Sequence, residues 1–333
     1  DLPGVSAAEL EKAPQEGRLV DALHEQDVPR NGGLDQRVQD VASPSLRIGS
    51  ERCCARVASK GEKLIEGKPE RRPHLGKRPV GEAQLLESAR EALDEHAAES
   101  QWRAAVAIEE GRFDRSLVPV LNLDGTMALD HEEFPRPGTT VESLAKLPPS
   151  FEMVADYRHE DNPTFRELVA RKFPDVQINH VHHAGNSSGV VDGAAAILMA
   201  SGDYATAHGL TPRARVVATA TAGDDPTLML NAPVPAARKV LERAGMTIDD
   251  VDLFEVNEAF AVVSEKFIRD QELDRDKVNV NGGAIALGHP IGATGAILVG
   301  TLLDELERQD KQIGLATMCT GGGMAPAIVI ERV

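Results

Sequence analysis

N-G-G-A-I-A-L-G-H-P-I-G-A-T-G-A, from Asn281 to Ala296, is the most distinctive run in the chain. Its single ionisable side chain is His289, with Gly282, Gly283, Gly288, Gly292 and Gly295 around it. Glycine tolerates positive φ and close approach of other atoms to the backbone. Pro290 stiffens the turn after the histidine. The apolar run Ala296 to Leu303 then leads into Asp304-Glu305-Leu306-Glu307-Arg308, which predicts an amphipathic helix. A titratable imidazole on a tight loop before a helix suits an acid/base group, since histidine titrates near neutral pH. A purely structural histidine in a Gly-rich turn fits the same stretch.

Outward from this loop the pattern is regular α/β. Toward the N-terminus, helices are expected over Asp192 to Ser201, Pro235 to Ala244 and Glu258 to Asp270, with strands over Ala214 to Ala220 and Val251 to Val256. Toward the C-terminus, Ile313 to Cys319 and Ala327 to Ile330 predict strands flanking the Gly321-Gly322-Gly323 turn. Alternating strand and helix argues for a layered sheet with helices on its faces. Further upstream, Gln84 to Ala98 and Glu99 to Gly111 predict helices, and Leu117 to Leu121 a strand. Residues 130–163 are rich in proline and loop-like, and Asn162-Pro163-Thr164 starts a helix running to about Phe173. Before residue 100 no four consecutive hydrophobic residues occur. A parallel strand buried on both faces would give such a run. Only charged helical texture is found there, at Ser6 to Ala13 and from Gln84.

A chain of 333 residues can bury a large core and fits two domains. Its formal net charge of −17, from 36 basic and 53 acidic residues, repels nucleic acid and anionic membranes. Such a surface suits either a high-salt cytoplasm or an ordinary acidic enzyme. No apolar run is long enough to cross a membrane. No basic-then-apolar leader is read, and the start at Asp1 rather than Met leaves room for preceding residues. The three cysteines, Cys53, Cys54 and Cys319, form neither a disulfide framework nor a zinc set, so a reducing compartment is expected.

Several residues have the types and positions that chemistry needs. Asn257 lies where a strand passes into a helix, and can orient a water or carbonyl or simply cap the helix. Cys319 ends a strand before three glycines, where turn N–H groups could stabilise an oxyanion; the other reading is a small buried hydrophobe. The glycine triplet favours an uncovered sulfur. Asn186-Ser187-Ser188-Gly189 reads best as the capping turn of the Asp192 helix. His180, His182 and His183 could place two ligands on one strand face, but no carboxylate or cysteine completes a set, so no metal is expected.

Taken together these stretches resemble the thiolase family of acetyl-CoA acetyltransferases and 3-ketoacyl-CoA thiolases. The resemblance runs from about Leu93 to Val333. It rests on A-G-N-S-S-G-V-V-D-G-A-A-A at Ala184 to Ala196, E-V-N-E-A-F-A at Glu255 to Ala261, the glycine loop of His289, and C-T-G-G-G-M-A from Cys319. It implies an α/β, thiolase-like fold: two related layered halves with an inserted loop region. Residues 1–210 would be the N-terminal half, with 1–92 atypical and about 67–186 the loop region; 211–333 would be the C-terminal half. It also implies that Cys319 moves a proton at Cα, and that His289 activates the nucleophile and helps bind a thioester oxygen. Asn257 would hold a water in that oxyanion site, Gly321 would donate to a second one, and Ser188 would lie near the pantetheine of CoA. The substrates would be acyl-CoA and coenzyme A, with no resident cofactor or metal, in a cytoplasmic homo-oligomer of fatty acid metabolism.

One departure stands out. The family's nucleophile sits in a C-[GA]-S-[GA] motif in the N-terminal half, and this chain has none. Its nearest material is R-C-C-A-R-V-A-S-K, with Cys54 and Cys53 as the candidates and Arg56 and Lys60 where the family has small or apolar residues. The N-terminal half is therefore expected to be incomplete. Out-of-frame translation explains the missing strand texture best, ahead of divergence or loss. An impaired acyl-CoA-binding remnant is the alternative function, and thioester hydrolysis or decarboxylation a third.

Overall fold

The computed structural model describes residues 85–333. The candidate nucleophiles Cys53 and Cys54, and the Ser6 to Ala13 helix, lie outside the described residues. Helix α1, Leu85–Glu109, is one continuous rod of 25 residues where the sequence suggests two helices. No glycine or proline interrupts it, so nothing forces a break. Ala97, Ala98, Ala104 and Ala107 are buried along it. Their small side chains let it lie close to its neighbours.

The following segment is loop-rich, as its prolines predict. Of the strand expected over Leu117 to Leu121, only β1, Val120–Leu121, pairs, antiparallel with β2, Met127–Leu129. Pro119 has no N–H to give a ladder. Short helices α2, Val141–Leu144, and α3, Glu152–Ala155, come next. Helix α4, Phe165–Lys172, starts where expected, because Thr164 and Glu167 form a reciprocal capping box.

The helix expected over Asp192 to Ser201 is not formed; the chain there has neither helix nor strand and leads to α5, Gly202–Ala207. Burial alternates: Asp192, Ala194, Ala196 and Leu198 are exposed, while Val191, Gly193, Ala195 and Ile197 are half-buried. A period of two belongs to strand geometry. An apolar run cannot by itself distinguish a buried strand from a buried helix, and here its start decides. Gly189 N donates to Ala284 O, His289 N donates to Gly189 O, and Val191 is wedged against Gly288. These ties fix the start of the run to α8 and the His289 loop.

The main sheet holds β3, Ala214–Gly223; β4, Leu253–Val256; β5, Ile313–Thr317; and β6, Met324–Arg332. Their order is β3-β6-β5-β4. β6 is antiparallel to both β3 and β5, while β4 and β5 are parallel. A bridge from Val278 to Phe254 extends the parallel edge. Alternate strand residues serve opposite faces. Phe254, Val256, Leu315 and Val329 pack with helices α6, Pro233–Ala244, and α7, Ala261–Asp270. Leu253, Ala316 and Ile330 pack with Leu298, Leu302, Leu303 and Leu306 of α9, Thr294–Arg308. Between α7 and α9 lie two unforeseen turns, a 3-10 turn at Arg275–Lys277 and the α-helical turn α8, Ala284–Leu287. Burying Phe267 or Leu302 fully stabilises the fold by roughly 2 kcal/mol each. Helix α6 stops at Gly245, whose φ of 67° is the left-handed stop expected there.

Candidate active site

β4 and β5 are neighbouring parallel strands, so the chain leaves both at the same end of the sheet. Asn257 is the first residue after β4, and its N–H donates to Thr317 O, the last residue of β5, at 3.0 Å. Cys319 comes two residues later. Carboxyl ends of parallel strands are the usual place for ligands in open α/β sheets. The helix after Asn257 begins only at Ala261, with Phe260 at its N-cap position. Asn257 is therefore not a helix cap, and that reading of it falls away. Helix α7 is three residues shorter at its start than the sequence suggests, because Ser187 bridges Phe260 and holds that segment extended.

His289 reaches the same place through α8 and Gly288, whose φ is 83°. Its Nδ1 and Thr294 Oγ1 are 2.6 Å apart, and its Nε2 faces Asn257 Nδ2 at 3.4 Å. With Nδ1–H donating to Thr294, Nε2 is the acceptor nitrogen and faces the Asn257 amide. Burial holds the imidazole below the ordinary histidine value, so it is neutral at pH 7. Asn257 is itself buried, and its Oδ1 has no hydrogen-bond partner among the described residues. A buried acceptor of that kind calls for a water or a ligand donor.

Cys319 differs from expectation in exposure. It is 8 % exposed and joins the apolar cluster under α6 and α7. Burial pushes its thiol up to about 11, so the sulfur holds its proton. The glycines after it serve the turn rather than uncover the sulfur. Gly322 and Gly323 have φ of 87° and 80°, and a Cβ on Gly323 would lie 2.9 Å from the carbonyls of Asp224 and Asp225. Gly321 is exposed, and nothing lies within 4 Å of where its Cβ would be.

Ser188 is not part of a capping turn, since no helix begins after it. Its N–H donates to Ala259 O at 3.0 Å, so Ser187 to Gly189 form a strap between the Asn257 segment and α8. His183 is fully buried: Nε2–H donates to Asp94 Oδ1 at 2.8 Å, and Nδ1 accepts from Gly185 N at 3.1 Å. Nε2 thus ties this loop to α1, while Nδ1 is used within the loop itself. Among the described residues no group of three or more His, Cys, Asp or Glu is placed to hold a metal.

The sequence reading missed Thr294, the partner of His289, and Glu258, which lies fully buried behind Asn257. A threonine five residues after a loop histidine gives no distinctive signal. The signal for Glu258 is a carboxylate directly before the apolar Ala259-Phe260-Ala261, at the first position of the expected helix.

Comparison with known proteins identifies the family. Residues 210–332 match the model of the thiolase C-terminal domain, and residues 80–155 that of the thiolase N-terminal domain, together more than half the chain. A 3-ketoacyl-CoA thiolase of Aeromonas hydrophila is 45% identical over 251 residues, 74% of this chain and 59% of that protein. The chain belongs to the thiolase family. An acetyl-CoA acetyltransferase of Escherichia coli K12 is 41% identical over 261 residues, 78% of this chain and 60% of that protein. The thiolase fold is found in solved structures too. The acetyl-CoA acetyltransferase of Bacillus anthracis superposes with a TM-score of 0.62 at 38% identity, over 75% of this chain and 58% of that one. Human mitochondrial 3-ketoacyl-CoA thiolase gives 0.64 at 36%, over the same shares. The chain thus spans about 60% of the length of the curated thiolases it matches.

Proposed function

We propose that this chain carries thiolase-type acyl transfer: condensation of two acetyl-CoA to acetoacetyl-CoA and CoA, or thiolysis of a longer 3-ketoacyl-CoA through a cysteine acyl-enzyme. The observation that carries it is the Asn257–His289 pair, set at the sheet end from which Cys319 also emerges. In this reading neutral His289 takes the proton of the nucleophile thiol, whose thiolate attacks the 3-keto carbonyl in thiolysis and the acetyl-CoA thioester carbonyl, expelling CoA, in condensation. The imidazolium then donates from Nε2 to the thioester oxygen, beside a water held by Asn257. Cys319, which keeps its proton at rest, gives it in thiolysis to Cα of the departing acetyl-CoA; in condensation it gives that proton to the departing CoA thiolate, and the thiolate left on Cys319 then takes a proton from Cα of the second acetyl-CoA. The Gly321 amide supplies the second oxyanion site, and Ser188 lines the pantetheine path.

The substrate is a CoA thioester, and no resident cofactor or metal enters the reaction. A cytoplasmic homo-oligomer, divided near residue 210 into two halves, completes this reading. No described helix is long and apolar enough to cross a membrane. Cys53 or Cys54 would serve as nucleophile. Incubation with acetyl-CoA and intact-mass measurement tests this: an acetyl group on Cys53 or Cys54 supports it, and an unmodified chain contradicts it.

A second reading, an acyl-CoA-binding remnant without a nucleophile, is favoured by the short coverage. The N-terminal family match is confined to residues 80–155, and Cys319 is the one cysteine among the described residues. Retained CoA binding without an acetyl adduct would select it.

A further inference from the structure

Directly behind Asn257 the chain turns inward, and Glu258 places a carboxylate where four donors converge. Oε2 accepts from Ser100 Oγ at 2.6 Å and from Ile285 N at 3.3 Å. Oε1 accepts from His96 Nε2–H at 3.1 Å and from Asn279 Nδ2 at 3.1 Å. These donors come from three separate parts of the fold. His96 and Ser100 are one turn apart on α1, Asn279 belongs to the segment beside β4, and Ile285 lies in α8. Asn279 is also paired in both directions with Val256, its Oδ1 accepting from Val256 N and its Nδ2 donating to Val256 O, each at 2.8 Å. Ser100 Oγ in addition accepts from Gly283 N at 3.0 Å. The fit is close: a Cβ on Gly283 would lie 2.4 Å from the Glu258 carboxyl carbon.

We propose that Glu258 is a positioning residue, whose carboxylate ties α1 to the end of β4 and to α8 and so sets the separation of Asn257 and His289. Asn257 is its chain neighbour. His289 lies two residues beyond α8, whose backbone the carboxylate grips at Ile285. One side chain thus governs both arms of the pair. All four bonds run toward the carboxylate, so acceptor-only chemistry is required. A glutamine keeps the shape but turns an NH2 group against two of the four donors. The network is charged and closed. His96 stands at 3.1 Å from Glu258 and 3.7 Å from Glu265, and Arg275 pairs with Glu265 at 2.6 Å. Ser264 Oγ on α7 completes the surroundings of His96 at 2.9 Å. The catalytic consequence rests on the acyl-transfer reading; the geometric one does not.

The test is the imidazole of His289, observed by long-range proton–nitrogen NMR on protein labelled with nitrogen-15 in its ten histidines, the signal being assigned with H289A. Wild-type His289 should show a single neutral tautomer protonated on Nδ1 and titrate below the ordinary value. In E258Q the tautomers should mix and the midpoint should move back toward the ordinary value. V240A, which only loosens the α6 core, should lower the melting temperature and leave the His289 signal in place. E258D keeps the charge but cannot span all four donors. It should shift the signal part-way, and it serves if E258Q fails to fold. An unchanged His289 tautomer and midpoint in a folded E258Q or E258D overturns the proposal. Where the wild type turns over acyl-CoA, E258Q should lose at least about tenfold in kcat with KM little changed. A wild type without turnover defeats the acyl-transfer reading while the NMR result still decides the role of Glu258.

Discussion

His289 Nε2 lies 3.4 Å from Asn257 Nδ2, and the two residues reach that contact by separate routes. One comes straight off a buried strand, the other through a helical turn 32 residues further on. Replacing Asn257 by Ala removes the amide without touching the sheet. We expect acyl transfer to fall about 10²-fold, the usual loss for one oxyanion-site group. The melting temperature should barely change. Steady-state kinetics with acetoacetyl-CoA and CoA measure the first, and thermal denaturation the second.

Cys319 should be a sluggish nucleophile. A thiol held at about 11 instead of near 9 has about a hundredfold less thiolate at neutral pH. Alkylation by iodoacetamide, read by peptide mass, should therefore be at least that much slower than for a free cysteine. It should accelerate tenfold per pH unit up to about pH 10. Fast alkylation at pH 7 would contradict the buried, protonated thiol.

His96 makes stability depend on pH. Burial by itself would lower its value, but the hydrogen bonds and charges of Glu258 and Glu265 outweigh that and raise it to about 9. A raised value means the stabilisation is complete below the unfolded value near 6.5 and is lost as pH rises through 9. Its size is on the order of 3 kcal/mol. The partner carboxylates work in the opposite sense. Burial would raise Glu265, but His96 and Arg275 hold it at about 2, so its share is lost as pH falls from about 4.5 toward 2. Denaturant unfolding across pH 3 to 10 should thus give a maximum near pH 5 to 6.5. H96F should flatten the alkaline limb.

Gly282 should not tolerate a side chain. Its φ is 73°, and an added Cβ would lie 2.4 Å from the backbone oxygen of Ser100. Left-handed strain and a backbone collision together should cost G282A at least about 2 kcal/mol. Gly292 has open space around its Cβ position, so G292A should stay within about 0.5 kcal/mol of wild type. Chemical denaturation of both variants provides the comparison.

The sheet and its helices were largely legible because their signals are local. Apolar runs mark β4 and β5, Gly245 stops α6, and Thr164 with Glu167 starts α4. His289, Asn257 and Cys319 were legible from residue type at the ends of those elements. The features that escaped depend on distant partners. Residues 192–201 read as a helix because an alanine-rich run does not reveal that its start is tied to Ala284 and His289. The burial of Cys319 was hidden because the cluster that covers it comes from α6 and α7. Glu258 was invisible as a hub because its donors lie up to 162 residues away along the chain.

His289 is proposed as the base of a thioester site. Thiolysis of acetoacetyl-CoA by CoA, measured for wild type and H289A side by side, tests it most directly. Turnover by the wild type, and its loss in a variant that melts within a few degrees of the parent, are expected. Equal rates for the two proteins, or no cleavage by the wild type at any CoA concentration, would contradict it.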